Sequence, residues 1–136
     1  MIVVDANVLA FHCLPGPRRD AARAVFRRDP DWAAPRLCRS EFTNVLALCV
    51  RRGERGLADA VLVLEAALEA LAGRELPVDP GEVLRTAVSS GCTAYDCEYV
   101  VLARTLGVPL VTDDRQVLRA FPGLAVSMEA FAHYGG

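Results

Sequence analysis

At 136 residues the chain has the length of one domain, so we expect a single domain over 1–136 that buries roughly two-thirds of its unfolded surface. The hydrophobic fraction of 53% argues against intrinsic disorder, and the net charge of −2 gives no sign of a nucleic-acid-binding protein. The chain has 15 arginines and no lysine, which excludes mechanisms that need a catalytic lysine, such as a P-loop or a pyridoxal Schiff base.

The sequence predicts neither membrane insertion nor secretion. The longest uncharged apolar stretch, 42–50, is too short to span a bilayer, and Asp5 interrupts the region where a signal peptide would be apolar. The five cysteines are odd in number and match no zinc-binding spacing. We therefore expect a cytoplasmic protein whose cysteines are reduced thiols.

The first half of the chain alternates predicted strands and helices. Its apolar, β-branched start predicts a buried strand over 2–7, followed by a turn at 15–17. Apolar residues at helical spacing predict three helices, and a short apolar segment predicts a strand between the first two. The helices are expected over 18–28, 36–52 and 57–72, and the strand over 32–34.

The second half continues the alternation and ends in a predicted loose tail at 135–136. The remaining strands are expected over 75–78, 108–112 and 124–126. The remaining helices are expected over 80–90, 94–106, 116–120 and 128–134. Strands that alternate with helices form a parallel sheet with helices on both faces, so the predicted fold class is α/β.

Four acidic residues stand where this topology could bring them together. Asp5 and Asp114 each follow an apolar strand, which puts them at the sheet edge where open α/β folds bind ligands. Glu41 and Asp96 lie near the starts of apolar helices, at or near the same edge. Each has an ordinary alternative: a capping Asp5, a helix N-terminal charge at Asp96 and a solvated Glu41. An accidental meeting of all four at one rim is the less favoured interpretation.

Converging carboxylates repel one another unless a cation lies between them. Mg²⁺ or Mn²⁺ suits such a group because both take oxygen ligands and retain several waters. Zinc is disfavoured because His12 and His133 have no cysteine or histidine at ligand spacing. A metal held by carboxylates favours phosphodiester chemistry, since it activates water and neutralises charge on the phosphoryl group.

Four short motifs resemble, in the same order, those of PIN-domain nucleases. They are Ile2-Val3-Val4-Asp5-Ala6-Asn7, Arg39-Ser40-Glu41, Thr93-Ala94-Tyr95-Asp96 and Leu110-Val111-Thr112-Asp113-Asp114-Arg115. Each motif alone is weak, whereas the four in register are specific, and the resemblance covers essentially the whole chain. Given its short length, the chain resembles VapC-type toxins of bacterial toxin–antitoxin pairs.

The resemblance implies a PIN-like, three-layer α/β/α sandwich with a central, mostly parallel sheet. It implies an endoribonuclease that depends on Mg²⁺, with Mn²⁺ as an alternative. Asp5 and Asp96 would bind the metal directly or through water. Asp114 would add a further metal ligand, and Glu41 would complete the catalytic cluster.

The same resemblance implies supporting roles for residues beside the acidic cluster. Asn7 and Thr112 would orient carboxylates or water through hydrogen bonds. The family pattern of threonine, any residue, then an acid selects Asp114, which leaves Asp113 as a neighbouring charge whose part in the site is open. Arg115 is the candidate for contact with the RNA backbone.

Three arginines recur at helical spacing on the first predicted helix, and the choice between two interpretations stays open. Arg19, Arg23 and Arg27 form either a solvated face or a strip that contacts phosphates.

The resemblance also implies a homodimer inhibited by a small antitoxin. The predicted helix over 57–72 carries more apolar residues than one core-facing stripe needs, with Leu62 and Val63 left over. These two residues are either buried by neighbouring helices or part of a groove, shared with the preceding helix, for an amphipathic antitoxin helix.

Two other functions compete with the nuclease hypothesis. One is a PIN-like RNA- or protein-binding module that has lost catalysis, which the intact acidic set argues against. The other is an α/β phosphatase with Asp5 as its nucleophile, which the missing lysine argues against.

Overall fold

The structure, a computed structural model, describes residues 1–134, so the predicted loose tail at 135–136 lies outside the described residues. The strands are β1 (Ile2–Val4), β2 (Trp32–Pro35), β3 (Glu75–Leu76), β4 (Leu110–Val111) and β5 (Ala125–Val126). The helices are α1 (Ala6–Cys13), α2 (Arg19–Arg28), α3 (Leu37–Arg51), α4 (Leu57–Ala70), α5 (Pro80–Ser90), α6 (Ala94–Leu106), α7 (Arg115–Ala120) and α8 (Met128–Tyr134).

Within the described residues, the five strands form one parallel sheet in the order β3-β2-β1-β4-β5. The central strand β1 pairs with β2 through Ile2 and Trp32 and with β4 through Val3 and Leu110. Every residue of β1 is 1% exposed or less, as expected for a strand covered on both faces. The chain builds from β1 towards β3 and then returns to add β4 and β5 on the other side. The strand order therefore changes direction between β1 and β4, which is where such sheets open a crevice.

Helices cover both faces of this sheet. Helix α1 contacts α2, α3 and α4, and α2 also packs against α8. On the other side, α6 contacts α5 and lies against β1, β2 and β4. Right-handed crossovers account for this division, because the chain moves in opposite directions along the sheet before and after β3. The predicted α/β fold class and the parallel sheet between helix layers are confirmed.

The first predicted element differs from the structure. The sequence pattern predicts a strand over 2–7 with no helix before the turn, but β1 ends at Val4 and α1 follows after Asp5. The pattern misses α1 because this helix is covered on more than one side and has no amphipathic stripe. Its buried residues are Ala6, Val8, Leu9 and Ala10. The other predicted elements agree with the observed bounds to within two residues.

Local capping fixes the helix that carries one of the predicted acids. The hydroxyl of Thr93 accepts a hydrogen bond from the backbone N–H of Asp96 at 3.1 Å and begins α6. Gly107 ends it in the left-handed conformation, at φ 68°, which glycine adopts without strain.

Two chain-wide expectations can be compared with the structure. All five cysteines fall within the described residues and are free thiols. None of the described helices combines the length and the hydrophobicity needed to cross a membrane.

Candidate functional site

A cavity of about 220 Å³ opens at the carboxyl edge of the sheet, beside the ends of β1 and β4. All four acidic residues singled out in the sequence lie in its wall. They come from four places in the chain: the residue after β1, helix α3, the first turn of α6 and the loop after β4. These residues are Asp5, Glu41, Asp96 and Asp114. The parallel topology brings them together, because the carboxyl ends of neighbouring strands share one edge.

Asp5 uses both of its carboxylate oxygens. Oδ1 accepts a hydrogen bond from the N–H of Val8 at 2.8 Å, which makes Asp5 the N-cap of α1. Oδ2 accepts a hydrogen bond from the hydroxyl of Thr112. Burial raises the pKa of Asp5 to about 6, although these two hydrogen bonds oppose the rise and Asp113 and Asp114 add to it. The capping role and the cavity position therefore belong to the same side chain.

Thr112 connects the two strand ends that flank the crevice. Its buried hydroxyl donates to Asp5 and accepts from the backbone N–H of Asp114 at 3.0 Å. A single hydroxyl thus fixes the orientation of one carboxylate and the start of the loop that carries another. Replacing Thr112 with a residue that lacks the hydroxyl would remove the hydrogen bonds to both Asp5 and Asp114.

Tyr99 belongs to the same cavity wall, and the sequence reasoning missed it. Its buried hydroxyl donates a hydrogen bond to Oε1 of Glu41 at 2.5 Å. Burial raises the pKa of Tyr99, and nearby Cys38 and Glu41 raise it further, so the hydroxyl stays protonated and remains a donor at neutral pH. The available signal was spacing, because Tyr99 follows Asp96 by three residues and shares its face of α6.

Asp96 and Asp114 both sit at helix starts. Asp96 is half-buried in the first turn of α6, and burial raises its pKa, with Asp114 adding to the rise and Thr93 opposing it. Asp114 caps α7, because its Oδ1 accepts from the N–H of Val117 at 3.0 Å. The ordinary helix-end roles are thus present, and they coexist with an electrostatic interaction between the two carboxylates.

Asp113 is held on another partner. Its Oδ2 accepts hydrogen bonds from Nε and Nη2 of Arg18 at 2.9 Å and 2.7 Å, while Nη1 of Arg18 donates to Glu129 at 2.6 Å. These carboxylates raise the pKa of the Arg18 guanidinium, with Glu129 the larger influence. Asp113 does not line the cavity, although its charge contributes to the raised pKa of Asp5.

The remaining predicted residues lie at the rim or beside it. Asn7 lines the cavity from the first turn of α1, and Asn44 of α3 lines it as well. Within the described residues, the side chain of Asn7 makes no hydrogen bond to the acidic group. Arg115 is exposed at the start of α7, next to Asp114, and does not line the cavity.

The donor set of the cavity suits a hard divalent cation. Its described wall offers carboxylate, amide and hydroxyl oxygens and contains no arginine, histidine or cysteine. Among the described residues, no three acidic, histidine or cysteine side chains form a ready-made metal-binding group. A cavity of about 220 Å³ has room for waters between an ion and these oxygens. The residues therefore fit a hydrated Mg²⁺ or Mn²⁺ better than a directly caged one.

Comparisons with known sequences show the family of the chain. The family model described as "PIN domain" matches residues 2–123 of the chain. Ribonuclease VapC3 from Pyrobaculum aerophilum is 33% identical over 128 residues, covering 90% of this chain and 96% of that protein. Exonuclease VapC9 from the same organism is 45% identical over 53 residues, or 39% of this chain and 38% of that protein.

Solved structures share the architecture. PAE2754 from Pyrobaculum aerophilum has a TM-score of 0.77 at 29% sequence identity, covering 96% of this chain and 92% of its own. FitAcB from Neisseria gonorrhoeae has a TM-score of 0.72 at 21% identity, covering 95% of this chain and 99% of its own. At 21% identity the second likeness concerns the fold alone.

Proposed function

Because this chain belongs to the PIN-domain family, we propose that it is an endoribonuclease that hydrolyses RNA phosphodiester bonds with a divalent metal, Mg²⁺ or Mn²⁺. The observation that carries this proposal is the meeting of four carboxylates in one cavity whose described wall holds no basic side chain. Such a group is unfavourable when fully ionised, and a hard cation relieves the repulsion. The similarity to Ribonuclease VapC3 over 90% of the chain supports the substrate class.

We assign metal binding to Asp5, Asp96 and Asp114, partly through water. A bound divalent ion lowers the pKa of a coordinated water and neutralises charge on the phosphoryl group. Thr112 holds Asp5 in a fixed orientation by donating to its Oδ2. Burial raises the pKa of Asp5, which means that the ionised carboxylate is poorly stabilised by its surroundings. A bound cation would supply the missing stabilisation.

Glu41 is the residue best placed to receive a proton from the attacking water. Tyr99 donates to its Oε1 at 2.5 Å, which fixes the carboxylate and leaves Oε2 for a water in the cavity. In this role Glu41 is a catalytic residue and Tyr99 is a positioning residue. Asn7 lines the same cavity and can orient water through its amide. Arg115, exposed beside Asp114, is the candidate for holding the RNA backbone.

Cleavage of a fluorescently labelled RNA by the purified protein tests the nuclease proposal. We expect endonucleolytic products with Mg²⁺ or Mn²⁺ and none in excess EDTA. The rival function is an RNA- or protein-binding module without catalysis, favoured by the lack of a ready-made three-ligand group among the described residues. RNA binding without metal-dependent cleavage would support that rival and overturn the nuclease proposal.

We further propose that the protein is the toxin of a toxin–antitoxin pair in the cytoplasm. This part rests on the VapC-type resemblance of the four motifs and on the match to a VapC relative over most of both chains. Helices α3 and α4 frame an apolar groove of about 290 Å³, which suits an amphipathic antitoxin helix. Residues lining this groove include Leu46, Val50, Leu57, Val61 and Leu64.

The proposed homodimer has an apolar surface elsewhere on the molecule. Leu84 and Val88 of α5 and Tyr95 of α6 are large apolar or aromatic side chains that stand exposed on one pair of packed helices. A second copy of the chain would cover them. Light scattering of the purified protein would give twice the chain mass for this state.

A charge on α4 tests the antitoxin groove. Leu62, although 64% exposed, does not line this groove, and Val63 is half-buried and lines a different cavity. Val61 is 42% exposed and lines the groove, so it is the residue to charge. Val61→Glu is expected to weaken inhibition by the antitoxin while RNA cleavage stays at the wild-type rate. Leu62→Glu, on the same helix but outside the groove, is the matched control and should leave inhibition unchanged. A Val61→Glu protein that cleaves RNA but is inhibited at wild-type antitoxin concentrations would contradict this placement.

A further inference from the structure

A second cavity, of about 360 Å³, lies between α1, α2 and α4. Its wall includes His12, near the C-terminal end of α1, whereas Asp5 caps the opposite end of the same helix. Seven residues of α-helix separate the two, which corresponds to about 10 Å along the axis. The volume lies within the range typical of small-ligand sites. This cavity is therefore separate from the acidic one and unused by the proposed cleavage reaction.

Two buried polar atoms in this cavity have no hydrogen-bond partner among the described residues. They are Nδ1 of His12 and Nε of Arg19, and both side chains line the cavity. Buried polar groups are usually paired, and leaving one unpaired costs stability. Any group from outside the chain that pairs with the guanidinium Nε–H of Arg19 has to be a hydrogen-bond acceptor.

The surroundings of His12 keep it in place and neutral. Its ring stacks on Phe26 with 4.6 Å between centroids and meets the edge of Trp32 at 5.1 Å. Trp32 is itself fixed, because its indole N–H donates to the backbone carbonyl of Asp29 at 2.8 Å. Burial lowers the pKa of His12, and Arg23 and Arg19 lower it further, so its ring adds no charge near pH 7. One ring N–H of a neutral imidazole can donate to the same acceptor as Arg19.

The charge in this cavity comes from two of the three arginines that recur along α2. Arg19 and Arg23 line the cavity, whereas Arg27 does not. No ion pair involving either of them is found among the described residues. The opposite wall is apolar and made of small side chains from α4, including Ala66, Ala67 and Ala70. An anion with an apolar body would match both walls.

We propose that this cavity binds a carboxylate carried on an apolar stem, with the carboxylate on Arg19, Arg23 and His12 and the stem against Phe26 and α4. A planar carboxylate suits a guanidinium, which offers paired donors. The stem gains the burial that the aromatic and alanine surfaces provide. Such a group occurs in free aromatic or aliphatic acids and in acidic side chains within apolar peptide segments. The inference does not depend on the nuclease proposal.

Titration of the protein with 4-phenylbutyrate and with its neutral analogue 4-phenylbutanol tests this site. Trp32 is the chain's single tryptophan and lines the cavity, so its indole signal in a ¹H–¹⁵N spectrum reports binding directly. We expect the carboxylate to bind about tenfold more tightly than the alcohol, as a charge-assisted hydrogen bond would give. The double variant Arg19→Gln/Arg23→Gln should lose this preference, and Arg27→Gln should keep it.

Two peptides identify the source of the carboxylate. Acetyl-Phe-Glu-Leu-amide is compared with its glutamine counterpart in the same titration, with circular dichroism to confirm that each variant is folded. Tighter binding of the glutamate peptide than of 4-phenylbutyrate indicates a protein segment, and the reverse order indicates a small acid. Equal binding of charged and neutral probes, or a preference that survives in the double variant, would overturn the proposal.

Discussion

The two cavities at the ends of α1 have opposite chemistry. At the N-terminal end, Asp5 faces a cavity with four carboxylates and no arginine in its described wall. At the C-terminal end, His12 faces a cavity with Arg19 and Arg23 and no acidic side chain in its described wall. The dipole of α1 stabilises the carboxylate of Asp5 at its start, whereas the positive charge of the second cavity comes from the arginines of α2. A net charge of −2 conceals this separation, because gross charge averages over regions of opposite sign.

In both cavities burial shifts a titratable group towards its neutral form. Burial raises the pKa of Asp5 to about 6, and burial lowers the pKa of His12 from its usual value. In the first case neighbouring carboxylates add to the shift, and in the second neighbouring arginines do. Neither cavity receives a compensating charge from its own described wall. Each is therefore suited to a ligand of opposite sign, a cation in the first and an anion in the second.

The largest expected effect is on RNA cleavage, which substitutions in the acidic cavity should lower and substitutions in the second cavity should not. Asp5→Asn and Asp96→Asn are each expected to lower RNA cleavage about a thousandfold, or about 4 kcal/mol in the barrier, because each removes a metal-binding charge. Arg19→Gln/Arg23→Gln should cleave at the wild-type rate, as should Glu65→Gln, which changes an exposed acid on α4. Rates are measured with labelled RNA in saturating Mg²⁺. Wild-type cleavage by the Asp96→Asn protein would refute the assignment.

The acidic cavity should also make the metal-free protein sensitive to pH. The folded pKa of Asp5, about 6, exceeds its ordinary value of 3.8, so the unfolded state releases its proton first as the pH rises. The free energy of unfolding should therefore fall by about 2 kcal/mol between pH 4 and pH 7, and Asp96 changes it in the same direction.

Urea unfolding in EDTA measures this pH dependence, with Asp5→Asn as the comparison. The difference between wild type and variant isolates Asp5 from the other titrating groups. As the pH rises from 4 to 7, the free energy of unfolding of wild type should fall relative to that of the variant. A difference that is constant over this range would show that Asp5 does not titrate as its buried position requires.

Tyr99→Phe tests how the acidic cavity is kept in order. Removing the hydroxyl releases Oε1 of Glu41 but leaves all four carboxylates present. We expect kcat to fall about tenfold, or about 1.4 kcal/mol, with KM for RNA nearly unchanged. Tyr95→Phe, one turn earlier on α6 and exposed, is the control: it keeps the ring that the proposed dimer would cover and should leave kcat unchanged. Equal kcat values for the two variants would remove Tyr99 from the catalytic arrangement.

The smallest expected effect is on thermal stability. Asp96→Asn keeps the shape of the side chain and removes one repelling charge, so the melting temperature of the metal-free protein should rise by about 2 to 5 °C at pH 7. Asp96 is a cleaner choice than Asp5, whose carboxylate also caps α1 and accepts from Thr112. Mg²⁺ should stabilise wild type more than the variant. An equal rise in melting temperature with Mg²⁺ in both proteins would mean that Asp96 does not take part in binding the ion.

The fold and the acidic group were predictable because both follow from local pattern and topology. Alternating strands and helices fix a parallel sheet, and the acids that follow β1 and β4 must then meet at one edge. Helix α1 was not predictable by the same means, since a short helix covered on several sides has no periodic stripe. Burial, which decides its structure, is a property of the assembled fold.

The polar partners of the site could not be predicted from spacing alone. Arg18 holds Asp113 from a position 95 residues away in the sequence, and only tertiary structure brings the two together. Arg19, Arg23 and Arg27 were expected to form either a solvated face or a strip that contacts phosphates. Arg19 and Arg23 line the second cavity, whereas Arg27 is exposed outside it. Tyr99 could have been found, because it shares a helix face with Asp96, but its acceptor Glu41 lies 58 residues earlier.

Titration of the ¹⁵N-labelled protein with Mg²⁺ compares the two cavities in one experiment. We expect the backbone amide signals of Asp96, Thr112 and Asp114 to shift and saturate, while the indole signal of Trp32 in the second cavity does not move. In the Asp5→Asn variant the same amide signals should need at least about tenfold more Mg²⁺. Unchanged signals at the acidic cavity, or identical titrations of wild type and Asp5→Asn, would contradict a divalent metal site at the carboxyl edge of this sheet.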